Sequence, residues 1–515
     1  MIIRTLILLF VFLTCFTSSS PAPNYSPHSH TKIFNLDIKK VQLAPDGFTR
    51  DVLTINGTLP GPTIRITKGD RVILNVCNEL DEPSTIHSHG LFQRGTNWYD
   101  GVPGETQCGI PAHTCWNYNF SVPDQSGTYW YHSHFKTQYV DGIFGAFIVD
   151  DPDDPYLHEY EEEIVIILQD YYHTEASELL KYYLSPASQG NEPIPDNGLI
   201  NGLGRFNCSL APEGSKCVNN FPLAKFTFES GKVYRLRIIN TSAFSVFFFS
   251  IDQHELEVIE ADGTYVKPAK VHRLPINVAQ RYSVLVRANQ VPSSYWMRSE
   301  FQEDCFPVSA DNLTDTVRAI VTYKDCPEKH EPITSDWKDN LTQCVDLKPS
   351  LLRPLFPEKI PTSEKTFKFV VTFHNNSEGV NTAYINNSTY EITLDSPTLQ
   401  EVFYGETKFP KSQNAYLIEK KEHGHQFWIL AEGNGTDVKT SKFNTKDPLK
   451  RDTATVPAQG WIALRFVADN PGVWAFHCHI EWHVEAGLVV KFIELPDEIK
   501  KLHPPEYWSG LCSMR

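Results

Sequence analysis

Short runs of Val, Ile, Phe and Thr recur along the chain between clusters of Asn, Asp, Gly and Pro, as in R-V-I-L-N-V (71–76), F-G-A-F-I-V (144–149) and Y-S-V-L-V-R (282–287). Runs of this length and composition fit strands rather than helices. They predict an all-β chain, and 35 prolines against 28 glycines predict many turns. The first apolar run is of another kind. Arg4 is followed by an uncharged stretch from Thr5 to Phe16, then Ser18, Ser19 and Ser20. A charged start, an apolar centre and a small-residue exit describe a secretory signal peptide over 1–20. The run falls short of the ~20 residues a membrane span needs. No later run is long and apolar enough to span. The expected product is therefore exported, with no membrane span in the mature chain. Sequons at Asn56, Asn119, Asn240, Asn312, Asn340 and Asn434 fit a glycoprotein.

The pattern repeats. The segment from Ile110, I-P-A-H-T-C-W-N-Y-N-F-S-V-P-D-Q-S-G-T-Y-W-Y-H-S-H, aligns with a single one-residue gap to V-P-A-Q-G-W-I-A-L-R-F-V-A-D-N-P-G-V-W-A-F-H-C-H from Val456. A fainter copy without histidines runs from Val278 to Ser299. Three related β-units follow, the outer two equipped for metal and the middle one not. Seams fall at D-D-P-D-D-P (150–155) and in the loop-rich stretch from Asp325 to Ser363.

Composition narrows the function. The 515 residues suggest about three domains, and 41% hydrophobic content supplies real cores. A net charge of −16 excludes a nucleic-acid binder working by a basic face and disfavours an anionic membrane surface. Of 11 cysteines, Cys15 would leave with the signal peptide. Cys478, between two histidines, reads as a metal thiolate, so nine remain, which cannot all pair, and at least one stays free or pairs elsewhere. Cys208 and Cys217 are spaced for a local bridge.

The histidines carry the chemistry. They fall in H-S-H-G (His87, His89), W-Y-H-S-H (His132, His134), H-G-H (His423, His425) and H-C-H-I-E-W-H (His477, Cys478, His479, His483). On a strand, residues i and i+2 share a face, so each H-x-H aims two imidazoles at one point. A lone H-x-H is weak, but four, at matching places in two copies of a repeat, are not. Imidazole with one thiolate suits Cu, Zn or Fe, and one Cys flanked by histidines is closer to a blue-copper site than to a closed zinc site.

These motifs, with G-D-R-V at 69, H-S-H-G-L-F-Q-R-G-T-N-W-Y-D-G-V-P at 87, T-Q-C at 106, D-Q-S-G-T-Y-W-Y-H-S-H at 124 and D-N-P-G-V-W-A-F-H-C-H-I-E-W-H-V-E-A-G-L at 469, resemble the multicopper oxidases, from about residue 33 to 495. The family comprises laccases, ferroxidases and ascorbate oxidases. The resemblance implies three cupredoxin-like Greek-key β-sandwich domains, here at 30–150, 160–325 and 364–497, with a linker at 326–363 and a tail at 498–515. It implies type 2 copper on His87 and a type 3 pair on His89, His132, His134, His423, His477 and His479. Type 1 copper would sit on Cys478 and His483, with Leu488 at the axial, non-ligating position. Asp100 and Glu481 fall where the family keeps carboxylates near the cluster, as proton donors or orienters of ligands. Asp170 falls where an acid meets a phenol or iron. Cys108 and Cys512 match a family bridge. The implied partners are a phenolic molecule or Fe(II), and dioxygen. A monomer is expected.

One departure is local. The family's third motif reads H-P-x-H-x-H-G-H, and only H-G-H-Q-F-W is present, at 423–428. In domain 1, Asp70 precedes His89 by 19 positions, across a strand; in I-E-K-K-E (418–422) the matching Glu422 adjoins His423. About 18 residues are absent, a strand and the first half of the motif, and with them one type 1 and one type 2 ligand. Ile418 and Lys421 stand at the ungapped spacings and offer no imidazole. A second register, with His423 and His425 as the type 2 and type 3 ligands, repairs type 2 but not type 1. The expected function is a secreted oxidase of phenols that reduces dioxygen to water. A ferroxidase, for which Glu303 and Asp304 could serve iron, and a catalytically impaired copper-binding array are the alternatives.

Overall fold

The computed structural model describes residues 30–310, 313–326, 331–342, 344–419, 426–438 and 442–513, and the backbone of 7–13. His423, His425, Lys421 and Asn312 lie outside them.

Three β-sandwiches follow one another. In the first, one sheet runs Arg50–Ile55, Thr31–Leu43, Arg71–Asn78, Thr114–Ser121. The facing sheet runs Ile64–Thr67, Phe144–Asp150, Gly127–His132, His87–His89. Alternation does the folding here: Val72, Leu74 and Val76 are fully buried while Ile73 and Asn75 between them are only partly so. The register that buries them sets Cys77 opposite Cys115, and the two form a disulfide.

The second sandwich repeats the plan with a six-stranded and a five-stranded sheet. Its Phe247–Ile251 strand (F-F-F-S-I) occupies the place that His87–His89 holds in the first, so apolar rings fill what is a histidine site next door. In the third, Gly472–His477 pairs with Val489–Glu494, which pairs with Ala415–Ile418. The facing sheet runs Asn381–Ile385, Lys365–Asn375, Ile7–Leu13, Gly460–Arg465, Phe427–Asn434, Lys450–Arg451. The N-terminal apolar run is thus a strand of the third domain's sheet.

The bridges are Cys77–Cys115, Cys108–Cys512, Cys208–Cys217 and Cys305–Cys344, and Cys326 and Cys478 are outside them. Among the described residues no helix is long and apolar enough to cross a membrane. One sequon is corrected: Asn240 is fully buried, its amide donating to the carbonyls of Ser245 and Ile276 (both 3.0 Å), so it presents no nitrogen to a glycosylating enzyme.

Candidate metal centre between the first and third domains

Domain 1 builds half of the site on two adjacent strands. His87 lies directly opposite His132, and His89 opposite Trp130. Gly101 tightens the turn that follows: its φ is +83°, and a Cβ there would stand 2.0 Å from the Ile86 carbonyl oxygen. That turn brings the Asp100 carbonyl to His87 Nδ1 (2.6 Å) and its carboxylate to 3.4 Å from the same nitrogen.

Domain 3 delivers the rest, held in place by the motifs that flank the histidines. Asn97 Nδ2 donates to the Val473 carbonyl (3.2 Å), and the Val473 N–H donates to Asn97 Oδ1 (2.8 Å). Gly472 admits this contact, since a Cβ would come 2.7 Å from Asn97 Cγ. Asn470 Nδ2 donates to the Phe92 carbonyl (2.5 Å), and Arg94 pairs with Asp469 (2.9 Å). The strand Gly472–His477 then carries His477 and His479 into the domain 1 histidines. His134 Nε2 lies 3.4 Å from His477 Nε2, and the His89 and His479 rings are 5.0 Å apart. Potential ligand atoms of His87, His89 and His132 fall within 4.8 Å of one another.

Electrostatics suits a metal. Burial, then repulsion from neighbouring histidines, holds His132, His134 and His479 well below the ordinary imidazole range; burial and then Arg281 do the same for His89, and burial takes His477 to about 4. Burial also works against the charged form of His87, but the Asp100 carboxylate outweighs it and raises that pKa. Neutral imidazole is the ligating form. The Nδ1 atoms of His87, His132 and His477 are engaged by the carbonyls of Asp100, Ser133 and Cys478. Such contacts fix the tautomer and leave Nε2 for a metal. His132 Nε2 and both nitrogens of His479 are buried with no hydrogen-bond partner. An orphaned buried polar atom costs about 1–3 kcal/mol unless something binds it. The residues present therefore fit copper at this cluster.

Cys478 faces the other way. Its Sγ is 3.4 Å from His483 Nδ1, and its N–H donates to the Leu488 carbonyl (3.2 Å), which sets the buried Leu488 behind it. His483 Nε2 meets Glu192 Oε1 at 2.9 Å, and Phe373 packs 4.8 Å from the His483 ring. Burial opposes protonation of His483, but Cys478 and Glu192 raise its pKa to about 10. Among the described residues the thiolate has one imidazole neighbour rather than two.

The three acids separate. Asp100 is buried against His87. Glu481 is buried at the start of the Glu481–Glu485 helix, and burial, then Glu485, lifts its pKa well above the carboxylate range. Asp170 does not face a substrate. It is 1% exposed, and its carboxylate accepts the backbone N–H groups of Ala243 (2.8 Å), Phe244 (3.0 Å) and Ser245 (3.0 Å). It pins the loop whose Ala243 carbonyl takes the Glu481 N–H (2.9 Å). Glu303 and Asp304 stand exposed on a 3-10 turn and do not line the cavity at His483. Glu192, in a Gly-Asn-Glu-Pro loop, carries no motif, and only the fold brings it to His483. Asp452 is equally silent in sequence: it holds Arg281 bidentately (2.6 and 2.7 Å) and lies 3.7 Å from His89 Nε2.

Multicopper oxidase families match residues 37–154, 162–325 and 422–498. "Laccase-2" of Agaricus bisporus is 36% identical, covering 94% of this chain and 94% of its own. "Iron transport multicopper oxidase fio1" of Schizosaccharomyces pombe is 32% identical, covering 93% of this chain and 78% of its own. The solved laccase from Botrytis aclada superposes with a TM-score of 0.84 at 33% identity, over 98% of this chain and 95% of that one. Fet3p, titled a multicopper oxidase that functions in iron import, gives 0.81 at 30% identity, over 94% of each chain.

Proposed function

The chain belongs to the multicopper oxidase family, and from that premise we propose that it is a laccase-type oxidase, taking electrons singly from phenols at the Cys478–His483 end of the site. His87 would hold type 2 copper, and His89, His132, His134, His477 and His479 the type 3 pair, with His423 completing it. Cys478 and His483 would hold type 1, with the buried Leu488 beside Cys478. Copper, when bound, supplies one-electron acceptance beside Cys478 and reduction of dioxygen to water at the histidine cluster. Cys478 is covalently adjacent to both His477 and His479, so a few bonds join the two ends. Asp100 would orient His87, and Glu481, whose pKa burial raises, would serve as a proton donor toward the cluster.

The observation that carries the phenol reading is the Glu192 carboxylate 2.9 Å from His483 Nε2, beside the Phe373 ring. An acid at His483, with the Phe373 ring on that same imidazole, suits a phenol, which must lose a proton as it loses an electron. Hydrated Fe(II) favours several oxygen donors. Glu192→Gln is expected to lower kcat/KM for a dimethoxyphenol by about a hundredfold, the usual scale of a lost general base. The loss should shrink as pH approaches the phenol's own pKa, and a non-phenolic one-electron donor should be oxidised at the parent rate. A uniform loss on both donors would remove Glu192 from this role. The relatives named for iron transport keep Fe(II) as the second reading, and Fe(II) oxidation far exceeding phenol oxidation would install it.

Metal identity is open to direct measurement. Protein prepared with both metals present is expected to hold copper in excess by elemental analysis, since one thiolate with few imidazoles does not build zinc's closed tetrahedral site. Stoichiometric zinc without copper would sink the assignment.

A further inference from the structure

One turn recurs in all three sandwiches. Thr31–Leu43, Glu162–Tyr171 and Lys365–Asn375 each pair with an antiparallel strand that ends in an isoleucine. The turns that follow are Ile55-Asn56-Gly57-Thr58, Ile200-Asn201-Gly202-Leu203 and Ile385-Asn386-Asn387-Ser388, each closed by a bridge between its outer residues. Both central residues of each have positive φ: +56° and +75°, +49° and +75°, +50° and +61°. Gly and Asn are the residues that adopt this readily. The first asparagine is used alike each time. Its Oδ1 accepts a backbone N–H of the domain's first strand, and its Nδ2 donates to the carbonyl two residues earlier. The partners are Asp37 (2.7 Å) and Asn35 (2.9 Å), Ile167 (2.6 Å) and Val165 (2.9 Å), Val370 (2.9 Å) and Lys368 (2.9 Å).

The second central position differs. A Cβ on Gly202 would stand 2.1 Å from the Leu59 carbonyl oxygen, so domain 2 admits only glycine; on Gly57 it would meet nothing nearer than Lys39 Cε at 3.6 Å. The third copy carries Asn387, which is exposed and whose side-chain amide has no partner among the described residues. Three sequons fall on these turns: Asn56-Gly57-Thr58, Asn386-Asn387-Ser388 and Asn387-Ser388-Thr389. We propose that Asn387 is an N-glycosylation site of the exported chain, and that Asn56 and Asn386 are not. In the transfer the amide nitrogen bonds to the anomeric carbon of an oligosaccharide carried on a polyprenyl diphosphate. The C–O bond to the diphosphate breaks, and the amide gives up one proton as the diphosphate leaves. The nitrogen keeps one N–H, and a trans secondary amide holds its new substituent on the side of its oxygen. That is the side of the hydrogen the clamp uses, because Oδ1 and Nδ2 address neighbouring groups on one strand edge. A sugar on Asn56 or Asn386 would therefore stand between the asparagine and its strand. A sugar on Asn387 meets solvent.

Protein exported by a eukaryotic host from the full chain tests this. A peptide N-glycosidase acting in heavy-oxygen water turns each occupied asparagine into labelled aspartate. Fragment masses of the peptide that holds both Asn386 and Asn387 then tell the two apart. Label is expected at Asn387 in most molecules, and none at Asn386 or Asn56. Asn387→Gly, which installs the residue of the other two copies, is expected to remove one glycan and leave the enzyme folded. Asn56→Gln is expected to remove no glycan and to lower the unfolding midpoint, since a longer side chain cannot meet Asn35 and Asp37 together. Label at Asn56 or Asn386 in the folded protein, or an unlabelled Asn387, would overturn the proposal. So would an Asn56→Gln protein that loses a glycan and unfolds at the parent's midpoint.

Discussion

Inserting a strand and an H-P-x-H segment of about 18 residues between Glu422 and His423 is expected to turn a weakly coloured, slow oxidase into a strongly blue, oxygen-consuming one. The thiolate of Cys478 has a single described imidazole neighbour, His483 at 3.4 Å, and a blue-copper site wants two. The insertion supplies the second, and the missing type 2 ligand with it. It also supplies the missing strand. By analogy with Val72, Leu74 and Val76, the strand would bury about three aliphatic side chains, worth ~1.5–3 kcal/mol each or about 4.5–9 kcal/mol together. That is comparable with the whole stability of a domain at ~5–15 kcal/mol. Colour and oxygen uptake should therefore rise together with the unfolding midpoint of the third domain. A strongly blue, fully active enzyme made from the chain without the insertion would refute this account.

What could be read from the sequence was what is local. Alternation placed the strand Arg71–Asn78, and i, i+2 spacing set His87 and His89 on one strand, whereas His134 and His479 lie just past the ends of the strands that carry His132 and His477. The Cys108–Cys512 bridge spans 404 residues and was reachable only through the family pattern. Asp170 was misplaced because its position along the strand says nothing of the loop at 243–245 that turns its carboxylate inward. Glu192 was invisible for the converse reason: an acid in a Gly-Asn-Glu-Pro loop has no periodicity to betray it, and 291 residues separate it from His483. The gap before His423 was legible from the internal repeat.

The same limit hid the most consequential buried charge. In V-V-K-F-I-E (489–494) a lysine reads as the solvent-facing position of a strand, yet Lys491 is 0% exposed, enclosed by Tyr390, Thr398 and Gln413 of its own domain and by Glu105 of domain 1. Its ammonium donates to Thr398 Oγ1 and Gln413 Oε1 (both 2.7 Å) and lies 3.3 Å from Glu105 Oε2. Glu105 belongs to domain 1, is 2% exposed and is also bonded by the Tyr390 hydroxyl. Lys491→Met removes the cation and leaves a buried carboxylate unpaired, an error that costs about 3–5 kcal/mol. The sign of its pH dependence follows from Glu105. Burial already raises that pKa in the folded protein, against the pull of Lys491, and removing the lysine raises it further. A carboxyl whose folded pKa lies above its unfolded one binds more protons when folded, so stability falls as pH climbs from the unfolded value through the folded one. The Lys491→Met penalty, measured by denaturant unfolding, should thus be smaller near pH 4 than at pH 7. Adding Glu105→Gln should recover most of it and flatten the pH profile, because two neutral groups replace one stranded charge. A single variant as stable as the parent at pH 7 would show that the pair contributes nothing to joining the first and third domains.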